Sequence, residues 1–313
     1  MESNKTLVVV GSANIDMVVM ADRFPKCGET ILGKNFYMVP GGKGANQAVC
    51  SAKLGADVSF IGKMGDDIFR NRLFESMSND GVCLEHVFID NDCSTGIALI
   101  MVDNEGNNEI VVVSGSNMQL TPKDIDSKKD IIAEADVVLM QLEIPVETVK
   151  RTAEIAKSGG AIVILNPAPA FPLPDDLLGL IDYLTPNETE IELMTGKKII
   201  DKPSLEYAAR TLIDKGVENV IVTLGKKGSM CLNGMGPVYF DAKRVKAVDT
   251  TAAGDAFNGA FALGILQKMD IETAIEFAGM VAALSVTKVG AQSSMPTVEE
   301  IKDFDSSFIQ TLK

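Results

Sequence analysis

The chain has 313 residues, of which 46% are hydrophobic and 23% are charged, a balance that is ordinary for a globular protein. Its formal net charge of −14 argues against nucleic acids and anionic membranes as partners, because an acidic surface repels both. Five cysteines without CxxC spacing and a single histidine, His86, argue against a disulfide framework, a zinc site and chemistry that needs several histidines.

The first predicted element is a buried strand over residues 7–10, an apolar run that ends at Gly11. This run is too short for a signal peptide or a membrane span, and the cysteine usage fits a reducing compartment, so we expect a cytoplasmic protein. The next predicted elements are strands at 17–20 and 31–39, a helix at 44–54, a strand at 58–61 and a helix at 66–79.

Two β-rich runs, 97–102 and 109–113, flank the turn-forming residues 103–108, a pattern typical of a hairpin. Beyond residue 121, nearly all-apolar strands alternate with amphipathic helices, as in a parallel sheet that is covered on both faces. The predicted strands there are 137–142, 161–165, 183–185 and 220–224, with β-like pieces at 229–232 and 238–240; the predicted helices are 146–157, 188–194, 204–215, 253–267 and 271–286.

These patterns favour one α/β domain over residues 1–313, with a small β lid formed by two insertions at about 14–40 and 95–114. Ligands of open parallel sheets bind at the carboxyl ends of the strands. We therefore expect functional residues directly after the predicted strands.

Three segments of this kind offer polar groups to a ligand. Asn14 and Asp16 lie two residues apart, so in an extended segment their side chains point the same way and suit the hydroxyls of a polyol. The segment 41–46, Gly-Gly-Lys-Gly-Ala-Asn, allows a ligand to approach the backbone closely at a helix start. Glu143 follows the predicted strand 137–142 and could accept hydrogen bonds from sugar hydroxyls. The alternatives are a capping turn, a flexible glycine turn and a charge at a helix start.

Two later segments suit a nucleotide. Asn187 and Glu190 open a helix, where they either form a capping box or provide an acidic site for hydrated Mg²⁺. The segment 223–228, Thr-Leu-Gly-Lys-Lys-Gly, is a common strand-to-turn pattern that could also hold the ribose or the phosphates of ATP.

The segment 249–260, Asp-Thr-Thr-Ala-Ala-Gly-Asp-Ala-Phe-Asn-Gly-Ala, carries the strongest signal. Small residues lead directly into a helix, whose free N–H groups would stabilise the charge on a transferring phosphoryl group. Asp255 lies in the same turn and could accept a proton from an attacking hydroxyl, although an aspartate there often only stabilises a helix.

Together, Asn14 and Asp16, the GGKGAN run at 41–46, the NETE run at 187–190 and the DTTAAGD run at 249–255 resemble the ribokinase-like (PfkB) carbohydrate kinases. The resemblance covers residues 6 to 303 and implies a three-layer α/β/α fold with a mostly parallel central sheet and a small β-sheet lid. The intact glycine motifs narrow it to members that use ATP to phosphorylate the 5-hydroxyl of D-ribose.

The resemblance also implies roles for individual residues. Asp255 would be the base and would touch the sugar, and an anion hole would be supplied by Ala252, Ala253 and Gly254. The expected ribose ligands are Asn14, Asp16, Gly42, Lys43, Asn46, Glu143 and Asp255. The expected ATP contacts are Asn187, Thr223, Gly225, Gly228 and Gly254, with Gly279 near the adenine.

Two cations and a partner chain are implied as well. Glu190 would help to organise Mg²⁺ through water. A K⁺ site is implied beside the anion hole, and several of its residues would bind the ion through backbone carbonyls. These residues are Asp249, Thr251, Ser285, Lys288, Gly290 and Ser294. The lid would close over the sugar and pair with the lid of a second copy in a homodimer.

Three alternatives differ in function. A relative could phosphorylate deoxyribose, a ketohexose or a nucleoside, because the shape of the pocket sets the acceptor. A non-catalytic sugar sensor is disfavoured by Asp255 and Gly254, and no basic DNA-binding segment supports a repressor. An NAD-dependent dehydrogenase is excluded because no GxGxxG motif follows a strand.

Overall fold

The apolar runs of the sequence form the strands of the computed structural model, which describes residues 5–305. In chain order the strands are β1 (Thr6–Val10), β2 (Asn14–Ala21), β3 (Gly33–Gly41), β4 (Asp57–Ile61), β5 (Lys63–Gly65), β6 (Phe88–Asp90), β7 (Gly96–Val102), β8 (Asn108–Val113), β9 (Val137–Met140), β10 (Ile162–Leu165), β11 (Tyr183–Leu184), β12 (Asn219–Thr223), β13 (Ser229–Asn233) and β14 (Gly236–Phe240).

The helices follow the same numbering. They are α1 (Lys43–Lys53), α2 (Ile68–Asn79), α3 (Pro122–Asp126), α4 (Lys129–Ala133), α5 (Val146–Gly159), α6 (Asp175–Leu178), α7 (Glu188–Thr195), α8 (Lys202–Ile213), α9 (Ala253–Leu266), α10 (Ile271–Ser285) and α11 (Val298–Phe304), with short 3₁₀ helices at Gly115–Gln119, Gly225–Lys227 and Gln292–Ser294. None of the helices within residues 5–305 is long and apolar enough to cross a bilayer.

The central sheet has the strand order β14-β13-β12-β11-β10-β9-β1-β4 in the described part of the chain. Pairing is parallel from β4 to β12 and antiparallel for β13 and β14. Val10 lies opposite both Ile61 and Met140, and Leu165 lies opposite both Met140 and Leu184. The carboxyl ends of five neighbouring strands, β4, β1, β9, β10 and β11, are therefore level, which brings the residues that follow them to one edge.

Alternation along β1 divides the core into two. Leu7 and Val9 pack with the buried faces of α1, α9 and α10, whereas Val8 and Val10 pack with those of α5 and α8. Since successive side chains of a strand point to opposite faces of the sheet, helices cover both faces. The predicted three-layer α/β/α fold is thus confirmed.

The lid is a second sheet of four strands among the described residues, in the order β3-β2-β7-β8. β2 and β7 are parallel, and each carries an antiparallel outer strand. The chain crosses between the central sheet and the lid near Asn14, Gly41, Gly96 and Val113, where the lid strands begin or end.

Several predicted boundaries differ from the structure. The strand predicted over 137–142 ends at Met140, so Gln141 and Leu142 lie beyond the sheet rather than inside it, and Glu143 follows it as predicted but at a distance of two further residues. The helix predicted from Gly44 begins at Lys43. The small parallel pair β5–β6 and the short helices α3, α4, α6 and α11 were not predicted, because segments this short carry little periodicity. All five cysteines are free thiols.

Candidate active site

Ser12, Lys43 and Glu143 join three segments at the carboxyl edge of the sheet. One oxygen of Glu143, Oε2, accepts hydrogen bonds from the Ser12 hydroxyl at 2.5 Å and from the Lys43 backbone N–H at 3.0 Å. The start of α1 packs closely against the segment after β1, and only glycine fits at position 44, because a Cβ there would come within 2.6 Å of the Ser12 nitrogen. The two hydrogen bonds to Oε2 fix the carboxylate of Glu143 and leave its other oxygen, Oε1, to a ligand.

Asn14 is oriented by a residue that the sequence did not reveal, Asn117. The Asn117 amide donates to Asn14 Oδ1 at 2.7 Å and to the Ala13 carbonyl, and its own oxygen accepts the Ala13 N–H at 3.0 Å. Because the oxygen of Asn14 is engaged, its Nδ2 group is the part of the amide left to donate to a ligand. Both asparagines are buried.

Asp16 lies on the same face of β2 as Asn14 and packs against the exit of β3. A Cβ at Gly41 would come within 2.5 Å of Asp16 Oδ2, so glycine there gives the carboxylate its space. Burial, together with the charges of Glu143 and Asp255, raises the pKa of Asp16 to about 7, although Lys43 acts in the opposite direction.

Asp255 is buried in the first turn of α9 and is held by two side chains of α1. Asn46 donates to its Oδ2 at 2.9 Å, and Gln47 donates to its Oδ1 at 3.0 Å. Burial raises the pKa of Asp255 above its ordinary value, while Lys43 and the bonds from Asn46 and Gln47 limit the increase. A carboxylate with a raised pKa and fixed oxygens is suited to accept a proton.

Lys43 is surrounded by acidic groups. Burial alone would lower the pKa of its ammonium group, but the carboxylates of Asp255, Glu143, Glu190 and Asp16 outweigh burial and raise it. The lysine therefore stays charged and partly offsets the negative charge of the site.

The start of α9 offers backbone N–H groups to an anion. Ala252 precedes the helix in the left-handed region, with φ of 58°, an uncommon conformation for a residue with a Cβ. No side chain within residues 5–305 caps this helix, and Gly254 has open space where a Cβ would stand. The first-turn N–H groups of Ala253 and Gly254 lie next in sequence to Asp255, and the Ala253 N–H donates to the Thr250 carbonyl at 3.3 Å.

Asn187 and Glu190 form the capping box that the sequence gave as one alternative. Asn187 Oδ1 accepts the Glu190 N–H at 2.8 Å, and Glu190 Oε2 accepts the Asn187 N–H at 2.8 Å. Burial raises the pKa of Glu190, and the charge of Lys43 limits this increase. The carboxylate of Glu190 therefore interacts electrostatically with the charged groups of the site. Capping uses one oxygen of Glu190, and the other is a hard donor of the type that Mg²⁺ prefers.

Thr223 lies next to Asn187, since a single parallel bridge joins the two residues. The turn after it contains Gly225 and Gly228, with φ of 56° and 98°, and a Cβ at Gly228 would overlap the carbonyl oxygen of Phe240. Gly279, in α10, has open space in place of a side chain. Thr223 and the turn that follows it thus share the neighbourhood of Asn187.

The loop before α9 is tied to the loop after α10. Asp249 Oδ1 accepts the Thr251 N–H and its Oδ2 accepts the Gly290 N–H, each at 2.9 Å. Burial alone would raise the pKa of Asp249, but these two bonds outweigh it and lower the pKa. The Lys288 ammonium pairs with Glu300 at 2.8 Å, so only its backbone is left for the predicted role.

The Ser285 and Ser294 hydroxyls donate to the carbonyls of Ala282 and Ala291. The residues predicted for K⁺ therefore lie in the loop before α9, at the end of α10 and in the segment that follows α10, and Asp249 bonds the first of these to the last.

Comparison with known proteins agrees with this geometry. The pfkB family carbohydrate kinase model matches residues 4–298. The chain is 44% identical to a ribokinase of Haemophilus influenzae, covering 96% of this chain and 98% of that one. It is 39% identical to a deoxyribokinase of Salmonella typhi, covering 95% and 98%. The structure of Arabidopsis thaliana ribokinase complexed with ribose and ATP matches with a TM-score of 0.91 and 37% identity, covering 99% of both chains.

The chain belongs to the pfkB family of carbohydrate kinases. The prediction of a sugar kinase, made from the glycine motifs and Asp255, is confirmed.

Proposed function

We propose that this protein transfers the γ-phosphoryl group of ATP to the 5-hydroxyl of D-ribose, which gives D-ribose 5-phosphate and ADP. The observation that carries the proposal is the buried carboxylate of Asp255 beside the uncapped N-terminus of α9. A relative named ribokinase, with nearly full coverage, and the match to a ribokinase complexed with ribose and ATP support the choice of sugar and nucleotide.

The sugar would be held by donors and acceptors from the lid, from the start of α1, from the loop after β9 and from the first turn of α9. These are the side chains of Asn14, Asp16, Lys43, Asn46, Glu143 and Asp255 and the backbone of Gly42. Asn46 Oδ1 is buried without a hydrogen-bond partner, a costly condition that a sugar hydroxyl would relieve. The amide of Asn14 would add a donor, and Glu143 would add an acceptor.

In the chemical step, Asp255 accepts the proton of the 5-hydroxyl as its oxygen bonds to the γ-phosphorus and the bond to the leaving oxygen of ADP breaks. The backbone N–H groups of Ala252, Ala253 and Gly254 stabilise the charge that spreads over the phosphoryl oxygens. The charge of Asp255 raises the pKa of Lys43, so the ammonium group lies near the reacting carboxylate. Its positive charge would also favour an anionic transition state.

ATP would contact Asn187, Thr223, Gly225, Gly228, Gly254 and Gly279. Mg²⁺, when bound, would shield the charge of the phosphates. Glu190 would accept hydrogen bonds from the water molecules around Mg²⁺ through the carboxylate oxygen that the capping box does not use. This suits Mg²⁺, which usually keeps several of its waters.

A monovalent cation such as K⁺ would order the loops joined by Asp249, together with Thr251, Ser285, Lys288, Gly290 and Ser294. Asp249 is stabilised by backbone N–H groups rather than by a cationic side chain, so a negative charge remains for the ion. Replacing K⁺ by tetramethylammonium at constant ionic strength should lower kcat about tenfold or more, because the anion hole loses its support. An unchanged kcat would contradict the K⁺ proposal alone.

We also propose a homodimer through the lid, on a single kinase domain spanning residues 1–313, in the cytoplasm. Ile110 and Val112 on one face of β8, and Val111 and Val113 on the other, are between 45% and 62% exposed. An edge strand that is apolar on both faces needs a cover. A second copy of the lid would provide one.

Asp255→Asn tests the central proposal. This change keeps the shape of the side chain but removes the base, so kcat for ADP release with D-ribose should fall about 100-fold or more. Ribose binding, measured by calorimetry, should persist. Asp176→Asn, an exposed carboxylate in α6, is the matched control and should keep normal turnover. Near-normal turnover of Asp255→Asn would contradict the assignment of the base.

Deoxyribose is the second candidate acceptor, since a deoxyribokinase is 39% identical over 95% of this chain. Comparing kcat/KM for D-ribose, 2-deoxy-D-ribose, fructose and adenosine would decide the acceptor. A higher value for any of the other three would replace D-ribose without affecting the role of Asp255.

A further inference from the structure

A row of buried polar side chains lies beneath Asp255, at the carboxyl edge of the central sheet. Gln141, Asn166 and Thr185 are the first residues after β9, β10 and β11, whose last residues lie level with one another. Gln47 of α1 and Asn258 of α9 complete the row. Each of these five side chains is at most 6% exposed. A buried polar group that lacks a hydrogen bond lowers the stability of the fold, so the hydrogen bonds within this row constrain how its side chains are oriented.

The bonds run in one direction along the row. Gln141 Nε2 donates to Gln47 Oε1 at 2.5 Å. Gln47 Nε2 then donates to Asp255 Oδ1 at 3.0 Å and to Asn166 Oδ1 at 3.1 Å, which uses both of its hydrogens. Asn166 Nδ2 donates in turn to the carbonyl of Thr185 at 3.1 Å.

This pattern permits a single orientation of the Gln47 amide. If the amide were reversed, its oxygen would face the Asp255 carboxylate and the Asn166 oxygen, while its nitrogen would face the donating Gln141 nitrogen. Three acceptor–donor contacts would become repulsive. The Asp255 carboxylate can only accept, and Asn166 Oδ1 is fixed as an acceptor because Asn166 Nδ2 donates to the Thr185 carbonyl, so together they orient Gln47 Nε2 as the donor.

The other end of the row reaches the anion hole. Thr185 Oγ1 donates to Asn258 Oδ1 at 2.5 Å, and Asn258 Nδ2 donates to the carbonyl of Gly254 at 2.8 Å. The same buried row thus contacts Asp255 through Gln47 and the first turn of α9 through Asn258.

We propose that Gln47 is a positioning residue for phosphoryl transfer, which holds the carboxylate of Asp255 ionised and aimed at the substrate hydroxyl through the bond to Oδ1. The inference rests on the proposed role of Asp255 as base and adds the groups that set its state. Asn46 donates to the other oxygen of Asp255, Oδ2, and its own amide oxygen has no partner and is left for the sugar. Asn46 would thus bind the sugar, whereas Gln47 would orient Asp255.

Several charged or titratable groups surround Asp255 besides Gln47. Lys43 lowers its pKa, and Glu143 raises it. Asp16, Glu190 and Cys50 also interact with its charge; the Cys50 thiol has a pKa raised by burial to about 12 and stays neutral. Gln47 lowers the pKa of Asp255, so loss of its bond moves that pKa further upward.

Gln47→Met is the first test, because methionine fills a similar volume and cannot donate. The acid limb of the profile of kcat against pH should move upward by about one pH unit, which is the effect of one hydrogen bond to a charged group. Ser51→Ala is the matched control. Ser51 lies one turn further along α1, is equally buried and bonds the backbone carbonyls of Gln47 and Gly259 without touching Asp255. It should leave the acid limb in place.

Gln47→Glu is the second test and keeps the proposal falsifiable if the methionine variant does not fold. A second carboxyl group 3.0 Å from Asp255 Oδ1 would share a proton with it, so the acid side of the profile should show two steps, the upper of which lies above the wild-type acid limb. Folding of each variant is checked by circular dichroism. Acid limbs that stay in place, or a loss of kcat equal at every pH, would overturn the proposal. Asp255→Asn separates the two ideas: if it keeps turnover, the base assignment itself fails.

Discussion

At the scale of single residues, Asp16 differs from the other carboxylates of the proposed sugar site. It accepts no hydrogen bond from the first turn of α1, whereas Glu143 and Asp255 are fixed by donors from that turn. Burial and neighbouring negative charges therefore act on it with little compensation, and its pKa rises to about 7. Such a residue destabilises the unliganded fold and prefers a ligand that donates hydroxyl groups.

The sign of this effect is testable. The ordinary pKa of Asp16 is 3.8 and its pKa in the folded chain is about 7, so between these values the folded state binds more protons than the unfolded state. The contribution of Asp16 to the free energy of unfolding therefore falls as pH rises from about 4 to 7. Asp16→Asn should raise Tm by about 2–4 °C at pH 8, and by less at pH 5, while weakening sugar binding.

Asp22→Asn is the control, one residue beyond the end of β2. Asp22 bonds to Lys34 and Asn104, which lower its pKa, so its neutralisation should not raise Tm at any pH. If differential scanning calorimetry shows the same Tm for Asp16→Asn and the wild type at both pH 5 and pH 8, then Asp16 is not strained by burial.

At the scale of elements, the connection between lid and core is a packed junction rather than a free hinge. Asn117, on the segment that leaves β8, holds both the backbone of Ala13 and the amide of Asn14 at the start of β2. A Cβ at Gly96, the first residue of β7, would overlap both the Asn14 and the Asn117 amides. Three crossings of the chain thus meet at the side chain of Asn14, which we propose as a sugar ligand.

Gly96→Ala should disturb this junction and not the nucleotide side. The added methyl group displaces the Asn14 amide, so KM for D-ribose should rise about tenfold or more while KM for ATP changes little. Gly234→Ala, in the turn between β13 and β14, has open space for a methyl group and serves as the control in the same steady-state assay. Equal changes in both KM values would show that the junction does not act through Asn14.

At the scale of the whole molecule, the lid has an apolar surface that residues 5–305 leave exposed. Leu99 and Val111 lie opposite each other in neighbouring strands, and Phe36 lies on the same face of the sheet. All three side chains are between 45% and 62% exposed. Burial of such a surface in a dimer is favourable at about 25 cal/mol for each Å² of apolar area.

Val111→Lys should therefore shift the protein from dimer to monomer in light scattering after size exclusion. Ile200→Lys is the control, because Ile200 is 82% exposed but lies between α7 and α8, away from the lid. Dissociation by both variants would point to a different interface. A wild-type protein that is monomeric at every concentration would contradict the dimer outright.

The sequence alone was sufficient for much of the fold. Near-continuous apolar strands and amphipathic helices from residue 137 to 286 predict the alternating α/β core, because each periodicity reports which face is buried. The β-only segments predict the lid for the same reason. The short pair β5–β6 and the exact strand ends were beyond reach, since they depend on contacts between distant segments.

Within the site, the sequence revealed the residues whose small size or polarity is conspicuous beside a strand end. Gly42, Gly254 and Asp255 are of this kind. Gln141 was missed because the apolar run before it led to a predicted strand through residue 142, whereas the strand ends at Met140. Gln47 and Asn117 carry no local signal, as one lies within a helix and the other in an irregular segment.

By itself, the sequence determined the class of fold, the family and the base Asp255 as a hypothesis, because hydrophobic periodicity and glycine spacing are local properties of the chain. Only the tertiary structure decided which groups surround Asp255. The bonds from Asn46 and Gln47 join residues more than 200 positions apart, and the level strand ends that align Gln141, Asn166 and Thr185 arise from sheet register. The charge state and orientation of a buried carboxylate depend on such neighbours, which no local pattern encodes.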